Sequence, residues 1–209
     1  RCNTAPNERT PIMSPLPEKI GKYEVIEEIG RGNMGIVYSA TDPFSARRLA
    51  LKVAHQDKLE EMGAQRLRKL FFNEARAAGL LDHPNILRIV DADMDGDLCY
   101  LVMELIHDCD TLESACKPES LLSVREIVGI IYKLAKALDY AHRQGVIHRD
   151  IKPSNILLTA ERDVKLADFS IALVTREDVA ETQFQGFMGS PLYMSPEQIR
   201  EAHVDGPSD

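Results

Sequence analysis

The apolar pattern of this chain changes its period once, just after Met103, and that change limits the folds open to it. Before it, the runs Tyr23–Ile29, Gly35–Ala40, Leu49–Ala54, Ile86–Ala92 and Leu98–Met103 are short, apolar or β-branched, and separated by turn residues such as Asp42-Pro43 and Asp95-Gly96. They predict an antiparallel sheet of about five strands. Between the third and fourth runs, near Leu59 to Leu81, Leu67, Leu70, Phe71, Glu74 and Ala78 share one face of a helix. Beyond Met103 the period becomes helical. Ile127, Ile130, Ile131, Leu134, Leu138 and Ala141 keep it, Ser123 and Glu126 form a capping-box pair, and Gly145 supplies the stop. The expected fold class is α+β: a small β-rich lobe with one helix, joined to a larger helical lobe.

With 209 residues, 44% hydrophobic and 28% charged, the chain can bury a substantial core. A net charge of −8 and the lack of a basic stripe with interleaved aromatics argue against a nucleic-acid partner. Cys2, Cys99, Cys109 and Cys116 show neither paired spacing nor disulfide-framework density, which favours a reducing compartment. No window reaches the ~18 apolar residues of a membrane helix, so no membrane contact is expected from these residues. Residues 1–21 carry Pro6, Pro11, Pro15 and Pro17 among polar residues and read as a leader or linker.

The chemistry concentrates in His148-Arg149-Asp150-Ile151-Lys152-Pro153-Ser154-Asn155 and the later Asp168-Phe169-Ser170. A base candidate, a cation and two metal-ligand candidates stand together there, which suits phosphoryl transfer to a hydroxyl. In the first hairpin lies Gly30-Arg31-Gly32-Asn33-Met34-Gly35. That spacing alone fits a flexible hairpin turn equally well. Its dinucleotide-binding version needs a helix after the last glycine, whereas Ile36-Val37-Tyr38 is strand-forming. The glycines would let backbone amides approach phosphate oxygens. Lys52 sits among strand-forming apolar residues and could simply face solvent by alternation. Glu74 lies on the apolar stripe of the following helix, where a carboxylate needs a partner, so the two could satisfy one another.

Taken in order, Gly30-x-Gly32-x-x-Gly35-x-Val37, Lys52, Glu74, His148-Arg149-Asp150-x-Lys152-x-x-Asn155, Asp168-Phe169 and Ser195-Pro196-Glu197 resemble the eukaryotic-like Ser/Thr protein kinase family. The resemblance runs from Tyr23 to Asp209, and Tyr193-Met194-Ser195-Pro196-Glu197-Gln198 has the style of bacterial members. It implies a two-lobed kinase domain over 22–209, with a small lobe (22–103), a connecting segment (104–108) and part of a large lobe (109–209). By that resemblance ATP, with Mg2+ or Mn2+, binds between the lobes. The glycine loop would cover the phosphates, and Lys52, paired with Glu74, would contact them through its ammonium. Val37, Ala50 and Leu157 would sandwich adenine, with Met103 behind it. Backbone groups of Glu104 and Ile106 would bond it, and Asp110 would meet the ribose, although a solvated polar turn explains Asp110 equally well. Asp150 would act on the acceptor hydroxyl, Lys152 would stabilise the transferring group, and Asn155 and Asp168 would hold metal. His148, Arg149 and Phe169 would organise the site, although His148 alone reads as a core histidine.

The implied substrates are proteins with serine or threonine acceptors, because Lys152 and Gly189-Ser190-Pro191-Leu192-Tyr193 favour those over tyrosine. Arg149 beside Asp150 implies control by phosphorylation of the loop from Asp168 to Glu197, with Thr182 first and Thr175 second as sites, exchanged in trans through a dimer. The kinase domain is expected in the cytoplasm, any membrane anchor being left to flanking segments. Two departures from the family pattern stand out. Ser170 replaces the usual glycine. Asp209 falls where the family's large lobe enters its central helix, so a fragment of a longer polypeptide, poorly stable alone and with apolar faces such as that of the Ser123–Arg143 helix incompletely covered, is expected. These departures keep a nucleotide-binding pseudokinase scaffold as the alternative. A small-molecule phosphotransferase comes third, against the peptide-docking wording of Gly189 to Glu197.

Overall fold

The computed structural model describes residues 16–32, 35–54, 72, 75–77, 79–169, 173–174, 190–200 and 203–209. Its small lobe is a six-stranded antiparallel sheet built from β1 (Lys19–Ile20), β2 (Tyr23–Arg31), β3 (Gly35–Thr41), β4 (Arg48–Ala54), β5 (Ile89–Asp95) and β6 (Leu98–Glu104), in the spatial order β1-β2-β3-β4-β6-β5. The expected runs become β2, β3, β4 and β6 almost as read. The fourth begins at Ile89 rather than Ile86. Ile86 instead forms a parallel bridge with Leu166, and the Leu87 amide donates to the Leu166 carbonyl at 2.8 Å. These three residues therefore stitch the lobes together. The sixth strand, β1, arises within the stretch read as leader; two residues leave no periodicity to detect.

Register decides which residues share a face of this sheet. Val37 pairs with Lys52, Ser39 with Ala50 and Ala50 with Met103, and residues directly opposite one another project to the same face. Val37, Ala50, Lys52 and Met103 thus share one side. The other side carries Tyr38, Ala40, Leu49, Leu51, Val53, Tyr100 and Val102, which form the buried small-lobe core. Of the expected helix between β4 and β5, residues 75–77 are described and helical, and the remainder lies mainly outside the described residues.

The larger lobe is organised by α1 (Val124–Arg143). Ser123 caps it through a complete capping box: its Oγ accepts from Glu126 N, and Glu126 Oε2 accepts from Ser123 N at 2.9 Å. The helix ends at Gln144, and Gly145 follows with φ 79°, a conformation that favours glycine. Ile130, Leu134, Ala137 and Ala141 face a core shared with Ala77, Leu81, Ile86, Val146, Ile156, Leu158, Val164, Leu166 and Phe169. Its outer face leaves Val124, Ile127, Val128, Ile131 and Tyr132 exposed, with Leu121 beside them. Short strands complete the lobe: β7 (Asp110–Thr111), β8 (Val146–Ile147), β9 (Ile156–Leu158), β10 (Val164–Leu166) and β11 (Leu173–Val174), followed by the four-residue helix α2 (Pro196–Ile199). β9 is flanked by β10 and β7, and β8 pairs with β11. The loop from β8 to β9 carries His148 to Asn155, and Asp168 follows β10 by two residues.

Candidate active site

The catalytic candidates converge. Lys52 is 9% exposed and its Nζ lies 2.9 Å from Asp168 Oδ1, so the strand lysine reaches the larger lobe rather than solvent. Around Asp150, Lys152 Nζ donates to Oδ2 at 2.6 Å and to Ser190 Oγ at 2.7 Å. Asn155 Nδ2 donates to Asp150 Oδ2 at 3.0 Å and to its carbonyl at 2.8 Å, and the Ser190 amide donates to Oδ1 at 3.0 Å. Both carboxylate oxygens of Asp150 are therefore oriented by fixed donors.

The backbone beneath Asp150 is held under tension. Arg149 (φ 72°) and Asp168 (φ 66°) adopt the left-handed region, which costs an L-residue about 1–2 kcal/mol. Asp209 supplies the restraint at Arg149. Its side chain is 1% exposed, and its oxygens accept from Arg149 N at 2.7 Å, His148 N at 2.7 Å and His142 Nε2 at 2.9 Å. On the far side, Gln198 Nε2 donates to the Arg149 carbonyl at 2.7 Å. Arg149 Nε is buried with no partner among the described residues, and burial pulls its guanidinium pKa down against the attraction of Asp209.

His148 is fully buried against Phe169, with ring centroids 4.6 Å apart. Its Nδ1 accepts from the Asp150 amide at 3.2 Å, and its Nε2 faces the Ala167 carbonyl at 2.9 Å. A carbonyl only accepts, so Nε2 carries the proton. Burial lowers the pKa, outweighing the carbonyl and the carboxylates of Asp209, Asp168 and Asp150, and the ring is neutral. The core and site-organising readings of His148 meet in one geometry.

The adenine-contact candidates line the connecting segment. Met103 is buried, Val37 and Ala50 share its face, and Leu157 pairs with Thr111 and Lys165 in the strands below. Glu104 N donates to the Arg88 carbonyl at 3.0 Å, and its carboxylate accepts from Arg88 N at 2.8 Å and Lys165 Nζ at 2.7 Å. The Ile106 carbonyl accepts the Cys109 thiol at 3.4 Å. Asp110 is exposed and its carboxylate accepts the next amide, Thr111 N, at 2.7 Å, a polar-turn role, although pairing with Leu158 keeps it beside Leu157. Arg31 is turned to Glu28, with contacts of 2.6 and 2.9 Å.

The glycines differ in what they require. A Cβ on Gly35 would meet the Val53 carbonyl oxygen at 2.1 Å, so the sheet itself demands glycine there. At Gly30 the nearest atom would be Val37 Cβ at 3.9 Å, and Gly32 has nothing within 4 Å. Neither has a positive φ. The described fold gives no reason for glycine at these two positions. Asn33, Met34, Glu74, Ser170, Thr175 and Thr182 lie outside the described residues.

The contacts of Ser190, Gln198 and Asp209 with the catalytic loop, and the Glu104–Lys165 pair, escaped the sequence reading. Each acts across a gap of 38 or more residues, and polar residues of these types carry no local mark of such contacts. No group of three or more His, Cys, Asp or Glu able to hold a metal occurs among the described residues, and no described helix is long and apolar enough to cross a membrane.

Comparison with known proteins shows the family. The sequence model of the protein kinase domain matches residues 23–209. A probable serine/threonine-protein kinase of Clostridium acetobutylicum is 36% identical over 188 residues, covering 90% of this chain and 28% of that protein. Probable serine/threonine-protein kinase PknB of Bifidobacterium longum is 38% identical over 200 residues, and serine/threonine-protein kinase PrkC of Bacillus subtilis 34% over 189, each alignment covering 90% of this chain and 28% of the relative. The chain spans little more than a quarter of the length of these relatives. Ordered motifs, a shared sheet face set by strand register, a loop of oriented donors around Asp150 and matches over nine-tenths of its length lead to one conclusion: the chain belongs to the protein kinase domain family.

Proposed function

We propose that this protein is an ATP-dependent serine/threonine protein kinase acting on protein substrates. The observation that carries the reading is the cluster around Asp150, whose two oxygens are aimed by Lys152, Asn155 and the Ser190 amide. A substrate hydroxyl at this carboxylate would be oriented by it and surrender its proton to it. The acceptor oxygen forms its bond to phosphorus as the bond from the γ-phosphorus to the bridging oxygen breaks, releasing ADP. Lys152 offsets charge on the transferring group, and Lys52 binds the phosphates from the sheet side. Lys52 then exchanges part of its hold on Asp168 for phosphate oxygens.

Asp168 and Asn155 would hold Mg2+ or Mn2+. Asn155 turns its Nδ2 to Asp150, which leaves Oδ1 as the atom able to take a cation. One carboxylate and one amide oxygen fit an ion that takes few protein ligands and completes its shell with phosphates and water. The bound ion supplies neutralisation of phosphate charge. Open space at Gly30 and Gly32 supports close approach of phosphates to that loop.

The test is transfer of labelled phosphate from ATP to a protein by the full-length polypeptide, alongside Lys52→Met and Asp150→Asn. Both variants are expected to lose transfer. Nucleotide binding by the unmodified protein without transfer overturns the reading in favour of a scaffold.

Regulation by loop phosphorylation is supported by Arg149, which keeps a buried Nε without a partner among the described residues next to the base. After incubation with ATP and Mg2+, mass spectrometry is expected to find phosphate on Thr182, with Thr175 second. An active preparation free of loop phosphate overturns this. Exchange in trans is tested by mixing active protein with a mass-tagged Asp150→Asn copy, which must acquire phosphate.

A further inference from the structure

We propose that Gln198 is a positioning residue that couples the peptide-docking segment to the catalytic loop by gripping the carbonyl of Arg149. The inference rests on the kinase reading above and adds to it a residue outside the base, cation and metal set.

The two ends of one amide are used differently. Gln198 Oε1 accepts from Ser195 N at 3.0 Å, closing the capping box of α2, while the backbone N–H of Gln198 donates to Ser195 Oγ at 3.4 Å. That role is open to Glu as well as Gln, since either offers an acceptor at this position. Gln198 Nε2 points the other way and donates to Arg149 O at 2.7 Å. Only an amide supplies this donor together with the cap, because a glutamate at neutral pH has none and would set a negative charge against a carbonyl.

The recipient explains why the contact matters. Arg149 holds φ 72°, a conformation that an L-residue keeps only under outside restraint. Its N–H is fixed by Asp209 at 2.7 Å and its C=O by Gln198 at 2.7 Å, so the residue before the base is clasped at both ends. Asp209 is buried, whereas Gln198 belongs to the same stretch as Ser190, whose amide donates to Asp150 Oδ1. The stretch 190–198 thus touches the catalytic loop at adjacent residues, Arg149 through Gln198 and Asp150 through Ser190. Movement of the docking segment is transmitted to the carboxylate that receives the substrate proton.

The test compares Gln198→Glu and Gln198→Met with the unmodified full-length polypeptide. The measurements are kcat and KM on a serine peptide, affinity for a fluorescent ATP analogue, melting temperature, and hydrogen exchange of amides 148–150. Gln198→Glu keeps the cap acceptor and replaces the donor with an oxygen that repels the Arg149 carbonyl. It is expected to keep the melting temperature and nucleotide affinity, lower kcat roughly tenfold at nearly constant KM, and speed exchange at 148–150. Gln198→Met should lower kcat equally and also lower the melting temperature. Wild-type kcat and exchange in Gln198→Glu overturn the proposal, as does a fall in kcat accompanied by a matching fall in melting temperature. If the unmodified protein transfers no phosphate, the kinase reading fails, and exchange at 148–150 alone decides the coupling.

Discussion

Lys52 Nζ lies 2.9 Å from Asp168 Oδ1, joining a strand of the small lobe to the segment after β10 across 116 residues of sequence. The contact fixes the separation of the two groups expected to manage phosphate and metal. Lys52→Met is expected to lower phosphotransfer by at least about 10²-fold, and Asp168→Asn to shift the Mg2+ dependence to higher concentration. Initial rates across a Mg2+ titration check both, and an unchanged Mg2+ profile in Asp168→Asn contradicts the metal role.

Asp209 accepts from two main-chain amides and a histidine while 1% exposed. Asp209→Ala strands two buried donors and should cost about 3 kcal/mol or more, whereas Asp209→Asn keeps one acceptor and should cost about half as much. Urea unfolding midpoints of the full-length protein distinguish the two. Equal, small losses would show that another group takes over the acceptor role.

His148 sets a pH dependence of definite sign. Its folded pKa lies below the ordinary 6.5, so between the two values the unfolded chain binds the extra proton. Stability is full above pH 6.5 and falls as pH drops below it, by up to ~1.4 kcal/mol per pH unit for this group. His83, lowered mainly by burial, adds a contribution of the same sign. Melting curves between pH 7.5 and roughly 5, above most carboxylate titration, should be flatter for His148→Asn than for the unmodified protein. Parallel curves refute the assignment.

Gly35 and Gly32 should respond differently to alanine. At Gly35 the new methyl would meet main-chain atoms of Val53 and Ala54, so Gly35→Ala should cost about 1–3 kcal/mol. Gly32→Ala meets open space and should leave the melting temperature within about 1 °C while raising the KM for ATP. Thermal melts and nucleotide titrations separate a glycine kept for the sheet from one kept for the ligand.

Residues that act on their near neighbours were legible in the sequence. The cap at Ser123, the stop at Gly145 and the strand runs depend on spacing of a few residues, and their boundaries agree closely with the elements found. The β5 boundary was misplaced because Ile86 is as apolar as a strand residue, yet the groups flanking it, the Asn85 carbonyl and the Leu87 amide, bond to the main chain of Leu166, 80 positions from Ile86. Asp209 and Asp205 show the deeper limit. Both stand in Asp205-Gly206-Pro207-Ser208-Asp209, and nothing local separates them, yet Asp205 is exposed and the Asp209 carboxylate is enclosed by a helix histidine and two loop amides. The Lys52–Glu74 pairing lies outside the described residues, and the cation's described partner is Asp168.

The tie of Glu104 to Lys165 has a mechanical consequence. It pins the lobes at the connecting segment, so rocking of one lobe against the other has its pivot there. Glu104 pairs with Leu49, three residues along β4 from Lys52, a lever arm of roughly 10 Å. A rotation of about ten degrees on that arm displaces Lys52 by roughly 1.7 Å, enough to part it from Asp168 while the connecting segment hardly moves. Under the proposed function, a nucleotide base would stay seated at this fulcrum while the phosphate end opens and closes around it.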